Sequence, residues 1–264
     1  MFINYLISFF VFIFGLCIGS FLNCAIYRLE KKKNLKGRSF CPHCKHPLSW
    51  LDLFPVFSFL FLRGRCRYCK KNISWQYPAV ELATGLVFLL IFVFANDFSI
   101  FGLINLSFLF YVVSALVVIF VYDLKHYIIP DKVLFPAIII TFLYRLIENL
   151  LVGDYELIYN FILASVIASV FFLVIFLISK GKWMGFGDVK LAILMGLLLG
   201  VPNVLVALFL AFFFGAIIGV VLMISERKSL KSEIPFGPFL IAGTFAAMIC
   251  GNHIIQWYLN FFQI

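Results

Sequence analysis

Long apolar runs separated by short polar breaks account for most of the chain. They cover 1–27, 79–95, 101–122, 133–151, 157–179, 185–201, 204–224 and 235–257. Their length and continuity predict membrane-spanning α-helices, since a bilayer core takes about 20 apolar residues per helix. Barrel strands would be shorter and would alternate apolar with polar. The run 185–201 is the briefest, just long enough to cross at about 1.5 Å per residue. The first run has no Lys or Arg before Arg28 and no clear small-residue cleavage site, so it is expected to persist as a span rather than be removed as a signal peptide. The pattern predicts an all-α polytopic membrane protein of about eight helices. A polar segment of about fifty residues, 28–78, separates the first span (1–27) from a seven-helix part (79–264).

Composition agrees. Of 264 residues, 64% are hydrophobic and 12% charged, against about 25% charged in a soluble domain. The net charge is +9, and 12 of the 21 Lys and Arg residues lie between Arg28 and Lys71. In a membrane protein such a cluster marks the cytoplasmic side rather than a nucleic-acid site, and it attracts anionic headgroups. With eight spans, the loops 28–78, 123–132, 180–188 and 225–233, with Lys190, fall on that side and hold every Lys and Arg but Arg145. Asp97, Glu148, Asp154 and Glu156 fall on the other.

Within the polar segment, Cys41-Pro42-His43-Cys44 and Cys66-Arg67-Tyr68-Cys69 are two C-x2-C knuckles. That pattern suits a four-thiolate structural zinc site, which also supplies a staple that a small loop-rich domain needs. The rival reading is a redox pair, which a reducing compartment and the lack of a βαβ pattern disfavour. His43 and His46 are expected to be neighbours rather than ligands.

Two carboxylates lie where apolar runs meet polar loops: Asp123, and Asp188 within Gly185-Phe186-Gly187-Asp188-Val189-Lys190. Counting spans puts both on the cytoplasmic side. A buried aspartate pair can hydrolyse a peptide, one carboxylate accepting a proton from water while its protonated partner polarises the carbonyl. Gly185 and Gly187 are expected to loosen the backbone there so that an extended substrate reaches Asp188. Two other readings remain open from the residues alone. Asp123, Asp131 and Asp188 are also acceptable as interfacial charges paired with lysines. Membrane aspartates serve proton-coupled transporters too, and a scaffold carrying a zinc module is a further possibility. Asp131, after Pro130, reads as a helix-start residue.

Taken in order, these residues resemble one family. Gly19-Ser20-Phe21-Leu22-Asn23 with Tyr27-Arg28-Leu29, the cysteine segment through Asp52 and Pro55 to Tyr77-Pro78 and Glu81, Asp123 to Ile129-Pro130-Asp131, Gly185-Phe186-Gly187-Asp188, and Ile234-Pro235-Phe236-Gly237-Pro238 are similar to the motifs of the bifunctional type IV prepilin peptidases. Those are integral-membrane aspartic enzymes of pilus assembly and type II secretion. The resemblance implies leader cleavage after a glycine in prepilins and pseudopilins, with Asp123 and Asp188 as the catalytic pair. It also implies N-methylation of the exposed residue by S-adenosylmethionine, in a bacterial cytoplasmic membrane. A peptidase without methyl transfer is the narrower alternative. Asn23, Asp52 and Glu81 are candidate contributors to the methyl-donor site. One departure is Asp52-Leu53-Phe54-Pro55, where the family commonly has Asp-Asn-hydrophobic-Pro.

Overall fold

The computed structural model describes residues 2–95, 99–153, 155–224 and 235–262, and these are almost entirely helical. In chain order the helices are α1 (Phe2–Glu30), α2 (Phe57–Phe61), α3 (Gln76–Ala95), α4 (Ile100–His126), α5 (Asp131–Val152), α6 (Tyr155–Ser179), α7 (Phe186–Leu199), α8 (Asn203–Ile224) and α9 (Gly237–Phe262). A single 3₁₀ turn, Trp50–Leu53, precedes α2. The predicted turn at Asn96–Asp97, Asp154, and the basic loop 225–233 lie outside the described residues.

Seven of these helices, all but α2 and α7, are long and apolar enough to cross a membrane. The predicted span 185–201 is corrected here: α7 has 14 residues and rises about 21 Å, against a hydrocarbon core of about 30 Å. Gly200 ends it with φ +67°, a conformation to which hydropathy is blind. Unlike the other apolar helices, α7 is enclosed. Nine of its residues, from Asp188 to Leu198, are buried, packed by α5, α6, α8 and α9.

The chain divides into two compact units, Met1–Val118 and Ile119–Ile264, and the division falls inside α4. In the first, α3 lies along α1. Glycine makes that approach possible: a Cβ on Gly15 would sit 2.8 Å from Gly85 Cα, and one on Gly19 2.7 Å from Glu81 Cα. In the second unit a Cβ on Gly196 of α7 would lie 2.2 Å from Ser165 Cα, so α6 and α7 touch backbone to backbone.

Two ionic contacts measure how α7 runs. Near its start Lys190 Nζ meets Asp131 at 2.8 Å, and near its end Arg145 Nη2 donates to the Leu198 carbonyl at 2.8 Å. Asp131 and Arg145 are 14 residues apart on α5, about 21 Å, so α5 and α7 run parallel over the whole length of α7. α5 then continues to Val152. The missing length of α7 is therefore at its C-terminal end, which stops well short of the end of α5.

Candidate functional site

In the first unit the two cysteine knuckles are built alike. Cys41 N–H donates to His46 O (3.0 Å) and Lys45 N–H to Cys41 O (2.9 Å); Cys66 N–H donates to Lys71 O (2.8 Å) and Lys70 N–H to Cys66 O (3.0 Å). Lys45 and Lys70, each just after the second cysteine of its knuckle, both take the left-handed conformation that closes the turn (φ 61° and 58°). All four Sγ atoms lie within 4.8 Å of one another, and Cys41 Sγ is 3.9 Å from Cys69 Sγ. A tetrahedral zinc with Zn–S bonds of about 2.3 Å requires S–S edges of about 3.8 Å. The donor set and its size fit a metal ion. His46 stacks on Tyr68 at 3.7 Å between centroids, a neighbour of the cluster and not one of its four donors.

The polar segment is fastened to the helices by the residues singled out from the sequence. Asn23 Nδ2 donates to Tyr77 O at 3.0 Å, and its Oδ1 accepts from Gln76 Nε2 at 3.2 Å. The Asp52 carboxylate accepts from Arg67 Nε (2.7 Å), Ser49 Oγ (2.8 Å) and Tyr68 Oη (3.2 Å), joining the 3₁₀ turn to the second knuckle. Burial raises the Asp52 pKa, but the Arg67 and Ser49 hydrogen bonds outweigh it and leave the group below the ordinary aspartate range. Buried Glu81 accepts the Val56 backbone N–H at 2.7 Å. Arg28, buried at the end of α1, turns its guanidinium onto the carbonyls of Asn34, Leu35, Lys36, Gly37 and Arg38 and so organises the first loop. Asn23, Asp52 and Glu81 thus each make polar contacts within the first unit.

The second unit brings Asp123 and Asp188 together. Both are buried, 4% and 6% exposed, and both border Ile129: a Cβ on Gly187, next to Asp188, would lie 3.0 Å from it, and one on Gly237, against Asp123, 3.4 Å. Each is met by a helix start. Gly185 is the extended N-cap of α7, and its backbone faces the carboxylate of Asp188 three residues on, the reciprocal half of a capping box. The Gly237 backbone N–H at the first turn of α9 is directed at Asp123. The positive ends of two helices therefore bear on two carboxylates. Gly187 is not unwound; it lies in the first turn of α7, where a Cβ would be 3.0 Å from Ile129 Cβ. A Cβ on Gly237 would fall 2.5 Å from Asp123 Oδ2. The glycines make room around the pair. Asp131 stands apart, half exposed and paired with Lys190 at 2.8 Å, at the start of α5.

The motif around Gly237 does not by itself assign that residue a role. A glycine between Phe236 and Pro238 at the head of an apolar run is the signal that was there to be read. The span count also leaves Arg145 as the one cation on the wrong side. In the structure Arg145 caps the recessed end of α7: Nη2 and Nε donate to the carbonyls of Leu198 (2.8 Å) and Leu197 (3.4 Å), Nη1 pairs with Glu148 (2.7 Å), and the guanidinium lies 4.0 Å from the Phe161 ring centroid. Asn160 of α6 adds a clamp, accepting from Val201 N–H (2.6 Å) and donating to its carbonyl (3.1 Å).

Comparison with known proteins covers most of the chain. Residues 13–95 match the family described as Bacterial Peptidase A24 N-terminal domain, and residues 108–220 the Type IV leader peptidase family. A relative from Bacillus subtilis, named prepilin leader peptidase/N-methyltransferase, is 32% identical over 95% of this chain and 97% of its own. Relatives of the same name from Aeromonas hydrophila (33% identical, 96% of this chain and 93% of the relative) and Legionella pneumophila (30%, 95% and 94%) align equally broadly. No solved structure matches.

Proposed function

We propose, for a chain that belongs to the type IV leader peptidase family, that it removes the leader peptide from type IV prepilins and pseudopilins and N-methylates the residue so exposed. The carrying observation is the meeting of Asp123 and Asp188, both buried, beside the starts of α7 and α9. In this reading one carboxylate is ionised and the other protonated, since two like charges at close range do not both persist in a desolvated site. The ionised one takes a proton from water as its oxygen attacks the scissile carbonyl carbon. The protonated one donates a hydrogen bond to the carbonyl oxygen as negative charge develops there. Collapse of the tetrahedral intermediate breaks the C–N bond, and the proton taken from water goes to the leaving amine. The glycine-faced helix starts hold both carboxylates in place and leave room for an extended main chain.

The placement suits such a substrate: a soluble basic leader, an apolar helix, and a scissile bond at the boundary between them. The distribution of Lys and Arg supports a cytoplasmic face for Asp123, Asp188 and the cysteine domain, in a bacterial cytoplasmic membrane. The four cysteines are assigned a structural zinc, and the methyl donor is S-adenosylmethionine, which supplies an electrophilic methyl group to the new terminal amine. Asn23, Asp52 and Glu81 are the candidate contributors to the methyl-donor site, and their contacts also hold the domain that would carry this second reaction.

Purified protein in lipid vesicles, given a prepilin with and without S-adenosylmethionine, tests both halves by mass spectrometry of the product. Loss of the leader, followed by one added methyl only when the donor is present, is the expected result. An intact precursor rejects the peptidase, and a cleaved but unmethylated product leaves the narrower peptidase-only alternative. Metal analysis of the same preparation should return one zinc per chain. Replacement of Cys44 and Cys69 by Ser should release that zinc and loosen the 28–78 segment to proteolysis. Metal-free protein with reduced thiols and an ordered segment would reject the zinc assignment.

A further inference from the structure

The polar segment between α1 and α3 has an unexpected surface. Trp50 (72% exposed), Phe54 (53%), Phe57 (47%) and Phe61 (84%) project together and line one open cleft of about 340 Å³. Leu60 and Trp75, 60% and 75% exposed, stand on the adjoining cleft. So much uncovered aromatic surface is unusual on a domain facing water. Its level on the helices explains it. The Val56 backbone N–H, at the centre of this stretch, is bound to Glu81, which is five residues or about 7.5 Å inside α3. Glu81 in turn packs against Gly19, eleven residues or about 16 Å before the end of α1. The aromatic stretch therefore lies level with the flank of two membrane-length helices, well inside the charged end formed by Arg28, Lys31, Lys32 and Lys33. Cations border it: Arg63 and Arg67 line the two clefts, and Arg67 is anchored to Asp52.

We propose that residues 50–61, the 3₁₀ turn and α2 together, form an interfacial membrane anchor whose aromatic side chains seat in the headgroup and upper acyl region of a leaflet containing anionic lipid. Tryptophan and phenylalanine favour that zone, and bordering arginines favour its phosphates. A bilayer is the occupant because the two helices that hold this stretch already fix it at bilayer depth. The anchor keeps the cysteine domain flat on the membrane, whatever reaction the domain serves, so the inference does not rest on the peptidase reading.

The full chain carrying Trp50 as its only tryptophan (Trp75→Phe, Trp183→Phe, Trp257→Phe) is reconstituted in phosphatidylcholine–phosphatidylglycerol vesicles. Monodispersity in detergent and retention of bound metal certify the fold. Lipids brominated high on the acyl chain should quench Trp50 strongly, lipids brominated near the chain end should quench it less, and aqueous iodide should scarcely reach it. Adding Phe61→Asp should reverse the order, with lipid quenching lost and iodide quenching gained. Trp50 open to iodide and untouched by brominated lipid overturns the proposal, since the stretch is then solvated. Protection from both quenchers overturns it equally, because another polypeptide (a second copy or a substrate helix) then covers the aromatics.

Discussion

Asp188→Asn, and separately Asp123→Asn, should reduce leader cleavage by about a thousandfold or more while leaving the protein inserted and stable. The size follows from how the two carboxylates are used. A positioned acid or base contributes about 10²–10⁴ to a rate, and groups that act as one unit each carry nearly the whole effect when removed. An amide keeps the shape and still accepts the backbone N–H of Gly185 or Gly237, so both helix starts retain their partners. It can neither take a proton from water nor donate the hydroxyl proton a protonated carboxyl offers. Asp131→Asn is the contrast. It removes only a half-exposed pair with Lys190, a contact worth about 0–1 kcal/mol, and cleavage should stay within a few-fold of the parent. Cleavage rates from the precursor-to-product ratio, beside thermal unfolding of each variant, decide the matter. Near-normal cleavage by either catalytic-pair variant sinks the assignment.

That three aspartates at the ends of apolar runs separate into a buried pair and a surface ion pair is only partly readable from the chain. Asp123 and Asp188 are legible as candidates because each lies where an apolar run meets a polar loop, and counting the runs places both at one end of the bundle. The knuckles were legible because their geometry is local, each loop of six residues closing on itself. What hydropathy does not encode is backbone conformation. Gly200 and Val201 read as a continuation of an apolar run, yet a positive φ at Gly200 ends α7 early. Nor does it encode service by a main-chain group: the contribution of Gly237 is an N–H, invisible as a side-chain type and about 110 residues from the carboxylate it faces. The aromatic residues of 50–61 carry no signal in the sequence that separates exposed from buried; their exposure and their level on α3 appear only in the structure.

Arg145→Met should destabilise the protein by about 2–3 kcal/mol and lower kcat well beyond any change in KM. Leu197 and Leu198, near the end of α7, are buried, so an unmatched carbonyl there is costly. Arg145 answers both of their carbonyls and the carboxylate of Glu148 at once. A hydrogen bond to a charged group contributes about 1.5–3 kcal/mol, and cutting the guanidinium strands all three acceptors. The loss falls at the C-terminal end of α7, while its flanks stay packed by α5, α6, α8 and α9. A helix released at the Arg145 end shifts or rotates, and Asp188 sits in its first turn. A misplacement of about 1 Å at reacting groups is enough for a loss of about a hundredfold. Arg145→Lys should recover part of the stability and little of the rate, because one ammonium lacks both the fork that spans two carbonyls and the flat face that rests on Phe161. Arg145 is on this account a positioning residue. If the methionine variant lost stability with kcat intact, α7 would be held independently of its cap. If neither quantity moved, the cation would be incidental to the helix it touches.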